Sequence, residues 1–148
     1  MGELPGSQQG GVAVNLRPAT RADSDLLYEW RTEGETADWY EGPQTSVKDH
    51  DAWLYDRLDN PCVHIWIVEV DGIPVGVVRL DSNDELSIEI APNQRGKGLG
   101  TEAIEKACEL APGRVKANVD WTNREARKAF TAAGFVERPD VIFFLYRP

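Results

Sequence analysis

The feature that most constrains the fold of this chain is a glycine-rich loop between an apolar strand and a helix. The strand is predicted over Glu85–Ile90, a proline at position 92 bends the chain, and glycines follow at positions 96, 98 and 100. From position 99, small and apolar side chains recur at helical spacing until Pro112-Gly113 ends the helix. The first turn of such a helix has free backbone N–H groups and the positive end of the helix dipole, and glycine lets an anion approach the backbone closely. The stretch therefore predicts a phosphate or pyrophosphate site.

Two common phosphate-binding patterns do not fit this loop. The Walker pattern GxxxxGK[ST] is absent, because neither Gly98 nor Gly100 is followed by Lys-Ser or Lys-Thr. The dinucleotide pattern GxGxxG fails because Ala103 stands where the last glycine would fall. What remains is a loop with Arg95-x-x-Gly98-x-Gly100 as its core. A turn that needs glycine only for its backbone conformation stays open as an alternative.

A second motif follows the loop and its helix. A strand is predicted at Arg114–Val119, and after it comes Asn123-x-x-Ala126-x-x-x-Phe130-x-x-x-Gly134-Phe135. Taken in this order, the strand, the Arg-x-x-Gly-x-Gly loop, the helix, the second strand and the Asn-led motif resemble the GNAT superfamily of acyl-CoA-dependent N-acyltransferases. The resemblance extends from about residue 14 to the end of the chain and is most specific between residues 87 and 135.

The rest of the chain is consistent with this resemblance. Residues 1–11 are rich in Gly, Pro, Ser and Gln and are predicted to be a disordered tail, and residues 12–148 are predicted to be a single GNAT domain. Thr20 and Ser46 each have an Asp three residues later, which predicts two capped helices before a run of antiparallel strands. The resemblance implies an α+β fold in three layers. Its central sheet is mixed but mostly antiparallel, is flanked by helices, and splays between the strands at Glu85–Ile90 and Arg114–Val119.

The resemblance also implies the cofactor, acetyl-CoA, and the residues that hold it. In the family, the strand before the loop pairs with the pantetheine arm through its exposed backbone, which assigns this role to Ile88 and Ile90. The pyrophosphate would lie on the loop and the first helical turn, formed by Arg95, Gly96, Lys97, Gly98, Leu99, Gly100 and Thr101. Asn123 would contact the cofactor arm near the thiol, and it also stands where the N-cap of the last helix belongs.

Two positions depart from the family. Many members carry Tyr at the position of Phe130 and use it to protonate the departing thiolate, which Phe cannot do. Phe130 is therefore predicted to pack in the core and to form a wall of the cofactor site. Asn118 stands where other members have an acidic residue, so the type that acetylates the N-termini of ribosomal proteins fits poorly.

Another group must then take the proton of the acceptor amine, because an ammonium is not a nucleophile. The two candidate catalytic carboxylates are Asp81, which ends a strand and shares a face with Arg79, and Glu89, on the strand before the loop. Either carboxylate could instead be an ordinary solvated charge, with Arg79 and Asp81 forming a surface ion pair. His50 lies on an otherwise apolar helix face, where it would be a core histidine or the substitute base.

Short runs of the sequence resemble GNAT members that acetylate amino groups on nucleotide-linked sugars, which often carry Phe at the position of Phe130. These runs include Leu16-Arg17-Pro18-Ala19, His50-x-x-Trp53, Val78-Arg79-Leu80-Asp81 and Leu86-Ser87-Ile88. The resemblance implies a small-molecule amine, with an amino sugar as the acceptor, and places Trp39, His50, Trp53 and Arg79 in the substrate site. Two other functions stay open: a protein or peptide N-acetyltransferase, and a non-catalytic acyl-CoA-binding module.

The composition of the chain limits the kinds of partner that we expect it to bind. The formal charge of -9 argues against a nucleic-acid surface and suits a cationic or neutral amine better than an anionic acceptor. The sequence has two histidines and two cysteines, and they lack the paired spacing of metal ligands, so we expect no metal site. We expect Cys62 and Cys108 to be buried and the protein to lie in a reducing compartment. The sequence contains no apolar run of the kind that predicts a signal peptide or a membrane span, so we expect a cytoplasmic protein. We expect it to be a monomer or a homodimer.

Overall fold

A computed structural model describes residues 13–32, 46–119, 122–138 and 143–145, so the predicted tail over residues 1–11 lies outside the described residues. The elements in chain order are β1 (Asn15–Pro18), α1 (Ser24–Thr32), α2 (Val47–Leu58), β2 (His64–Val70), β3 (Ile73–Leu80), β4 (Leu86–Ile90), α3 (Leu99–Leu110), β5 (Lys116–Asn118), α4 (Arg124–Ala132), β6 (Val136–Arg138) and β7 (Phe143–Leu145). Both predicted capping signals are present. The Asp23 carboxylate accepts from the Thr20 N–H, and the Ser46 side chain accepts from the Asp49 N–H.

Strands β1 to β4 form an antiparallel sheet in sequence order, and β5, β7 and β6 form a second antiparallel sheet. The turn between β2 and β3 is the Asp71-Gly72 pair predicted from the sequence, and both residues have positive φ, at 53° and 78°. A two-residue turn of this kind matches the natural twist of a hairpin.

The site is created by the way β4 and β5 separate. They meet at one end, where Glu85 and Lys116 form a parallel bridge and the Lys116 N–H donates to the Asp84 carbonyl at 3.0 Å. Beyond this bridge β4 pairs with β3 and β5 pairs with β7. The two strands therefore diverge, and one edge of the β4 backbone faces the opening. The α+β fold and its splay, both implied by the GNAT resemblance, are confirmed.

Helices cover both faces of the sheet, which gives the three predicted layers. One buried cluster lies between the sheet and helices α3 and α4, and includes Leu86, Ile104 and Phe130. The other lies between the sheet and helices α1 and α2, and includes Leu27, Leu54, Ile65 and Ile67.

Side chains of β4 divide between these layers. Ile88 and Ile90 pack against the cluster beneath α3 and α4. Because successive side chains of a strand point to opposite faces, Ser87 and Glu89 lie on the face toward α1 and α2. Val77, the cross-strand partner of Glu89, packs on the cluster of that same face.

The prediction that Cys62 is buried is wrong. Cys62 is exposed and lies before β2, because the turn at Asn60 continues through it, with the Cys62 N–H donating to Asn60 Oδ1 at 2.9 Å. Cys108 on α3 is half-buried, and burial raises the pKa of its thiol to about 12.

Candidate active site

A cleft of about 850 Å³ follows the open edge of β4. It reaches from the first turn of α3 and the inner face of α4 to the layer of α1 and α2. The predicted site residues that line it are Ile88, Ile90, Arg95, Gly96, Gly98, Leu99, Gly100, Thr101, Asn123, Phe130, Glu89, His50, Trp53 and Arg79. Asp81 and Lys97 do not line the cleft. The prediction for Trp39 lies outside the described residues.

The glycine loop forms one end of the cleft. Gly96 and Gly98 have φ of 80° and 77°, a left-handed conformation that glycine adopts without strain, and Gly98 is the N-cap of α3. Gly100 is already helical, and a Cβ there would lie 3.5 Å from Ala129 Cβ and 3.8 Å from Ile90 Cγ1. Position 100 therefore faces the floor of the cleft, where α3, α4 and β4 come together.

The two basic residues of the loop have different positions. The Arg95 Nε donates to the carbonyl of Ile90 at 2.9 Å, so this side chain ties the loop to the end of β4 while it lines the cleft. The Lys97 Nζ donates to Gln94 Oε1 at 3.0 Å on the exposed side of the loop. Arg95 is thus the loop cation that lies at the cleft.

Helix α4 supplies the opposite wall. Asn123 is its N-cap, as predicted, because its side-chain oxygen accepts from the Ala126 N–H at 3.1 Å, and the same residue lines the cleft. Phe130 is 1% exposed and packs edge-on against Phe135, with ring centroids 4.9 Å apart. Phe130 also lines the cleft, so it is a core residue that forms part of the cleft wall, and its contact with the cofactor stays a prediction.

The position of Phe130 leads to a kinetic prediction. We expect Phe130→Leu to lower stability by about 1–3 kcal/mol, because a fully buried ring is lost, and to leave turnover within about tenfold. Urea unfolding and initial rates of CoA thiol release measure the two effects. A loss of several orders of magnitude in a folded variant with normal acetyl-CoA affinity would show that the ring contributes to the chemical step.

Glu89 and Arg79 come together on the face of the sheet that carries α1 and α2. Arg79 is paired across the strands with Ser87, which places Glu89 diagonally opposite Arg79 on the same face. Both line the cleft. This arrangement puts a carboxylate and a guanidinium in the lining of the cleft, on one face of the sheet.

Asp81 has a structural position in the turn between β3 and β4. Its N–H donates to the Glu85 carbonyl at 2.9 Å, and its carbonyl accepts from the Asp84 N–H at 2.9 Å. Its carboxylate pairs with Arg79, with Arg79 Nε 3.0 Å from Asp81 Oδ1. The predicted ion pair between these two residues is therefore formed, and the carboxylate is held beside the cleft and not in its lining.

His50 is a buried group at the other end of the cleft. It is 1% exposed, with Tyr28 edge-on at 5.4 Å and Trp53 stacked at 5.9 Å between ring centroids. Neither ring nitrogen has a hydrogen bond of normal geometry to any part of the chain that the structure describes. Burial, and then the charge of Arg31, lower the pKa of His50, while Asp51 and the Ser24 backbone act more weakly in the other direction. The ring is neutral at pH 7.

A neutral buried His50 predicts a pH dependence of stability. As the pH falls below the ordinary value of 6.5, the unfolded chain takes up this proton before the folded chain does. We therefore expect the free energy of unfolding to fall by at most about 1.4 kcal/mol per pH unit in this window, and to be restored as the pH rises. Urea unfolding at pH 7.5 and 5.5 measures the change.

The chain has two histidines, so the matched control for this titration is His64→Gln. His64 is exposed and should leave the pH dependence intact, whereas His50→Phe should remove it. The same slope in His50→Phe and the wild type would contradict a neutral His50.

Sequence reasoning missed two residues of this region. Arg31 lines the cleft from α1, one helical turn after Leu27, and the helical spacing of these two positions was the available signal. Gly76 on β3 allows β4 to approach closely, because a Cβ there would lie 2.6 Å from the carbonyl oxygen of Glu89. A glycine inside an apolar strand is typical of such a close backbone approach.

The family of the chain follows from comparison with known proteins. A family model described as an acetyltransferase (GNAT) domain matches residues 13–136, which is more than half of the chain. The chain belongs to the GNAT acetyltransferase family. The enzyme class and the acetyl-CoA cofactor implied by the resemblance are therefore confirmed for this GNAT chain.

Curated relatives are a quarter to a third identical to this GNAT chain over the aligned residues. An uncharacterized N-acetyltransferase of Methanocaldococcus jannaschii is 33% identical over 58% of the chain and 43% of its own length. A putative [ribosomal protein bS18]-alanine N-acetyltransferase of Bacillus subtilis is 26% identical over 76% of the chain and 74% of its own length. The aminoglycoside N(6')-acetyltransferase type 1 of Klebsiella pneumoniae is 28% identical over 83% of the chain and 74% of its own length.

Solved structures agree on the fold. An aminoglycoside acetyltransferase in complex with coenzyme A and kanamycin superposes with a TM-score of 0.76 at 23% identity, covering 90% of this chain and 94% of that one. The spermidine N-acetyltransferase of Vibrio cholerae, in complex with CoA and spermine, gives 0.75 at 22% identity, covering 84% and 82%. Within the described residues of this chain, no helix is both long enough and apolar enough to span a membrane.

Proposed function

We propose that this GNAT enzyme transfers the acetyl group of acetyl-CoA to a primary amine of a small molecule, with an amino sugar as the acceptor. The observation that carries the proposal is the single cleft, which joins the glycine loop, the open edge of β4 and the pocket formed by His50, Trp53 and Arg79. A donor at one end and an acceptor at the other would meet beside β4.

The donor end supports a nucleotide-linked thioester. The left-handed glycines at 96 and 98 and the first-turn N–H groups of α3 form an anion site that suits a pyrophosphate. The backbone of Ile88 and Ile90 at the open edge of β4 would pair with the amides of the pantetheine arm, as another strand would. Asn123 and Phe130 would then lie along the arm on the α4 side.

The acceptor must lose a proton before its nitrogen attacks the thioester carbonyl. We assign the acceptance of that proton to Glu89, which lines the cleft beside β4, in preference to Asp81, which lies outside the lining and is paired with Arg79. The C–N bond forms, the C–S bond breaks, and the second nitrogen proton is transferred through solvent to the thiolate. Phe130 supplies no proton in this scheme.

The acceptor class draws support from the relatives. Proteins named for acetylating aminoglycosides and spermidine share the family or the fold, so small amines are familiar acceptors on this scaffold. Trp53 offers an aromatic surface of the kind that packs against sugar rings.

The test is a measurement of CoA thiol release over a panel of amines. The panel contains amino sugars, spermidine, kanamycin and a peptide with a free N-terminal alanine, each at saturating acetyl-CoA. We expect turnover with amino sugars and not with the peptide. Turnover of the peptide alone would favour a protein N-acetyltransferase, and tight acetyl-CoA binding without turnover of any amine would favour a non-catalytic binding module.

A further inference from the structure

Trp53 on α2 is surrounded by guanidinium groups. The guanidinium carbons of Arg57, Arg79 and Arg31 lie 4.7, 5.2 and 5.3 Å from the centroid of the Trp53 ring system. They come from three separate elements, α2, β3 and α1. Cations at this distance are attracted by the ring face, which fixes the guanidinium planes and lets positive charges share a small volume.

Two of these three arginines face the cleft. Arg31 and Arg79 line it together with Trp53 and His50, whereas Arg57 contacts Trp53 without lining the cleft. Arg79 and Arg57 also form ion pairs with acidic residues that do not line the cleft. Arg79 pairs with Asp81, which does not line the cleft, and Arg57 lies 3.6 Å from the highly exposed Asp56.

The buried His50 reports the charge at this end of the cleft. Its ring is 1% exposed and stacks on Trp53. The charge of Arg31 acts on this ring more strongly than that of Asp51, whose carboxylate accepts from the Ser24 hydroxyl. The positive charge of Arg31 therefore acts inside the cleft, next to Trp53.

We propose that the acceptor carries an oxyanion in addition to its amine, and that Arg31 and Arg79 bind this oxyanion beside Trp53. This proposal rests on the proposed function and narrows it to amines with a carboxylate or phosphate group. The oxyanion would lie at the Arg31 and Arg79 end, and the amine would point along β4 toward Glu89.

The permanent charge and the shape of the guanidinium suit Arg31 and Arg79 to binding an oxyanion. A guanidinium stays protonated at any physiological pH and offers two parallel N–H donors that match a carboxylate or phosphate. The same two charges repel a polycation, so this site would discriminate against acceptors such as spermidine or kanamycin. The net charge of -9 favours a cationic or neutral amine, but it is summed over the whole chain, whereas this proposal rests on the charges at the cleft.

The test measures binding, so that it does not depend on turnover. The probes are glucosamine, glucosamine 6-phosphate and the carboxylate 2-amino-2-deoxygluconate, with spermidine as the polycation. Each is titrated by calorimetry into the enzyme saturated with CoA. We expect at least one anionic probe to bind ten or more times more tightly than glucosamine, and spermidine to bind least. The phosphate and carboxylate probes distinguish the two kinds of oxyanion.

The arginine variants localise the effect. Arg31→Gln and Arg79→Gln should each weaken the anionic probe at least tenfold, and by a larger factor than they weaken glucosamine. Arg57→Gln is the matched control, since it removes a contact with the same Trp53 ring outside the cleft and should change nothing. Arg79→Gln alone leaves Asp81 without its ion-pair partner, which could destabilise the fold. In that case the double variant Arg79→Gln, Asp81→Asn removes both charges and is used in its place.

Two results overturn the proposal. One is that the anionic probes, glucosamine and spermidine bind with equal affinity, or that none of these probes binds. The other is an anionic preference that survives both cleft variants. If the anionic probes bind as expected but no thiol is released from acetyl-CoA with them, the oxyanion site stands and the proposed transfer to these amines fails.

Discussion

Replacing Gly100 by isoleucine is expected to abolish binding of acetyl-CoA and leave the protein folded. A Cβ at this position makes only ordinary contacts, 3.5 Å from Ala129 Cβ, so the backbone tolerates a side chain. Glycine is also a poor helix former, and a substitution in the first turn of α3 costs the helix nothing in propensity. The added branches of isoleucine, however, would fill the floor of the cleft, where the proposed binding mode places the pyrophosphate and the pantetheine arm.

Calorimetric titration with CoA measures this effect. We expect the affinity to fall by more than about a hundredfold, which corresponds to about 2.7 kcal/mol. Gly113→Ile is the matched control, because position 113 lies in open space and does not line the cleft. Gly98→Ile would be less informative, since φ of 77° strains any branched residue there. Unchanged CoA affinity in folded Gly100→Ile would refute the assignment of the loop.

The residues at the glycine-loop end of the cleft, the proposed donor half, could be placed from the sequence because they are close together in the chain. Residues 86–101 contain the strand, the bend, the loop and the start of the helix, so local rules and the family resemblance are enough to place them. The splay of β4 from β5 was likewise implied by the family. The structure adds that Arg95 is bound to the end of β4, whereas Lys97 is bound to Gln94 on the exposed side.

The other end of the cleft, the proposed acceptor half, could not be placed in the same way, because long-range packing assembles it. Arg31, Trp53 and Arg79 are far apart in sequence and meet only when α1 and α2 pack on the sheet. The shared face of Arg79 and Asp81 follows from strand alternation. The turn after β3, however, decides that the Asp81 carboxylate stays outside the cleft, and strand alternation carries no information on that turn.

Replacing Glu89 by glutamine is expected to slow acetyl transfer without weakening acetyl-CoA binding. General-base assistance contributes about 10²- to 10⁴-fold to a rate, and glutamine keeps the shape of the side chain but cannot accept the proton. The cofactor would be held by the backbone of β4, which the substitution leaves in place. We therefore expect kcat to fall by about 10²- to 10⁴-fold with an unchanged CoA affinity, measured by thiol release and calorimetry.

The pH profile and a matched variant make the test of Glu89 specific. Without a base, the rate of Glu89→Gln should rise tenfold per pH unit up to the pKa of the acceptor ammonium, because only the free amine reacts. The rate of the wild-type enzyme should reach its plateau at a lower pH than the rate of Glu89→Gln.

Asp81→Asn removes a carboxylate that lies beside the cleft but outside its lining, and should retain the wild-type rate and pH profile. A loss confined to Asp81→Asn would assign the base to Asp81. Wild-type rates and profiles in both variants would exclude both carboxylates, and the neutral, buried His50 would then be the protein base to test.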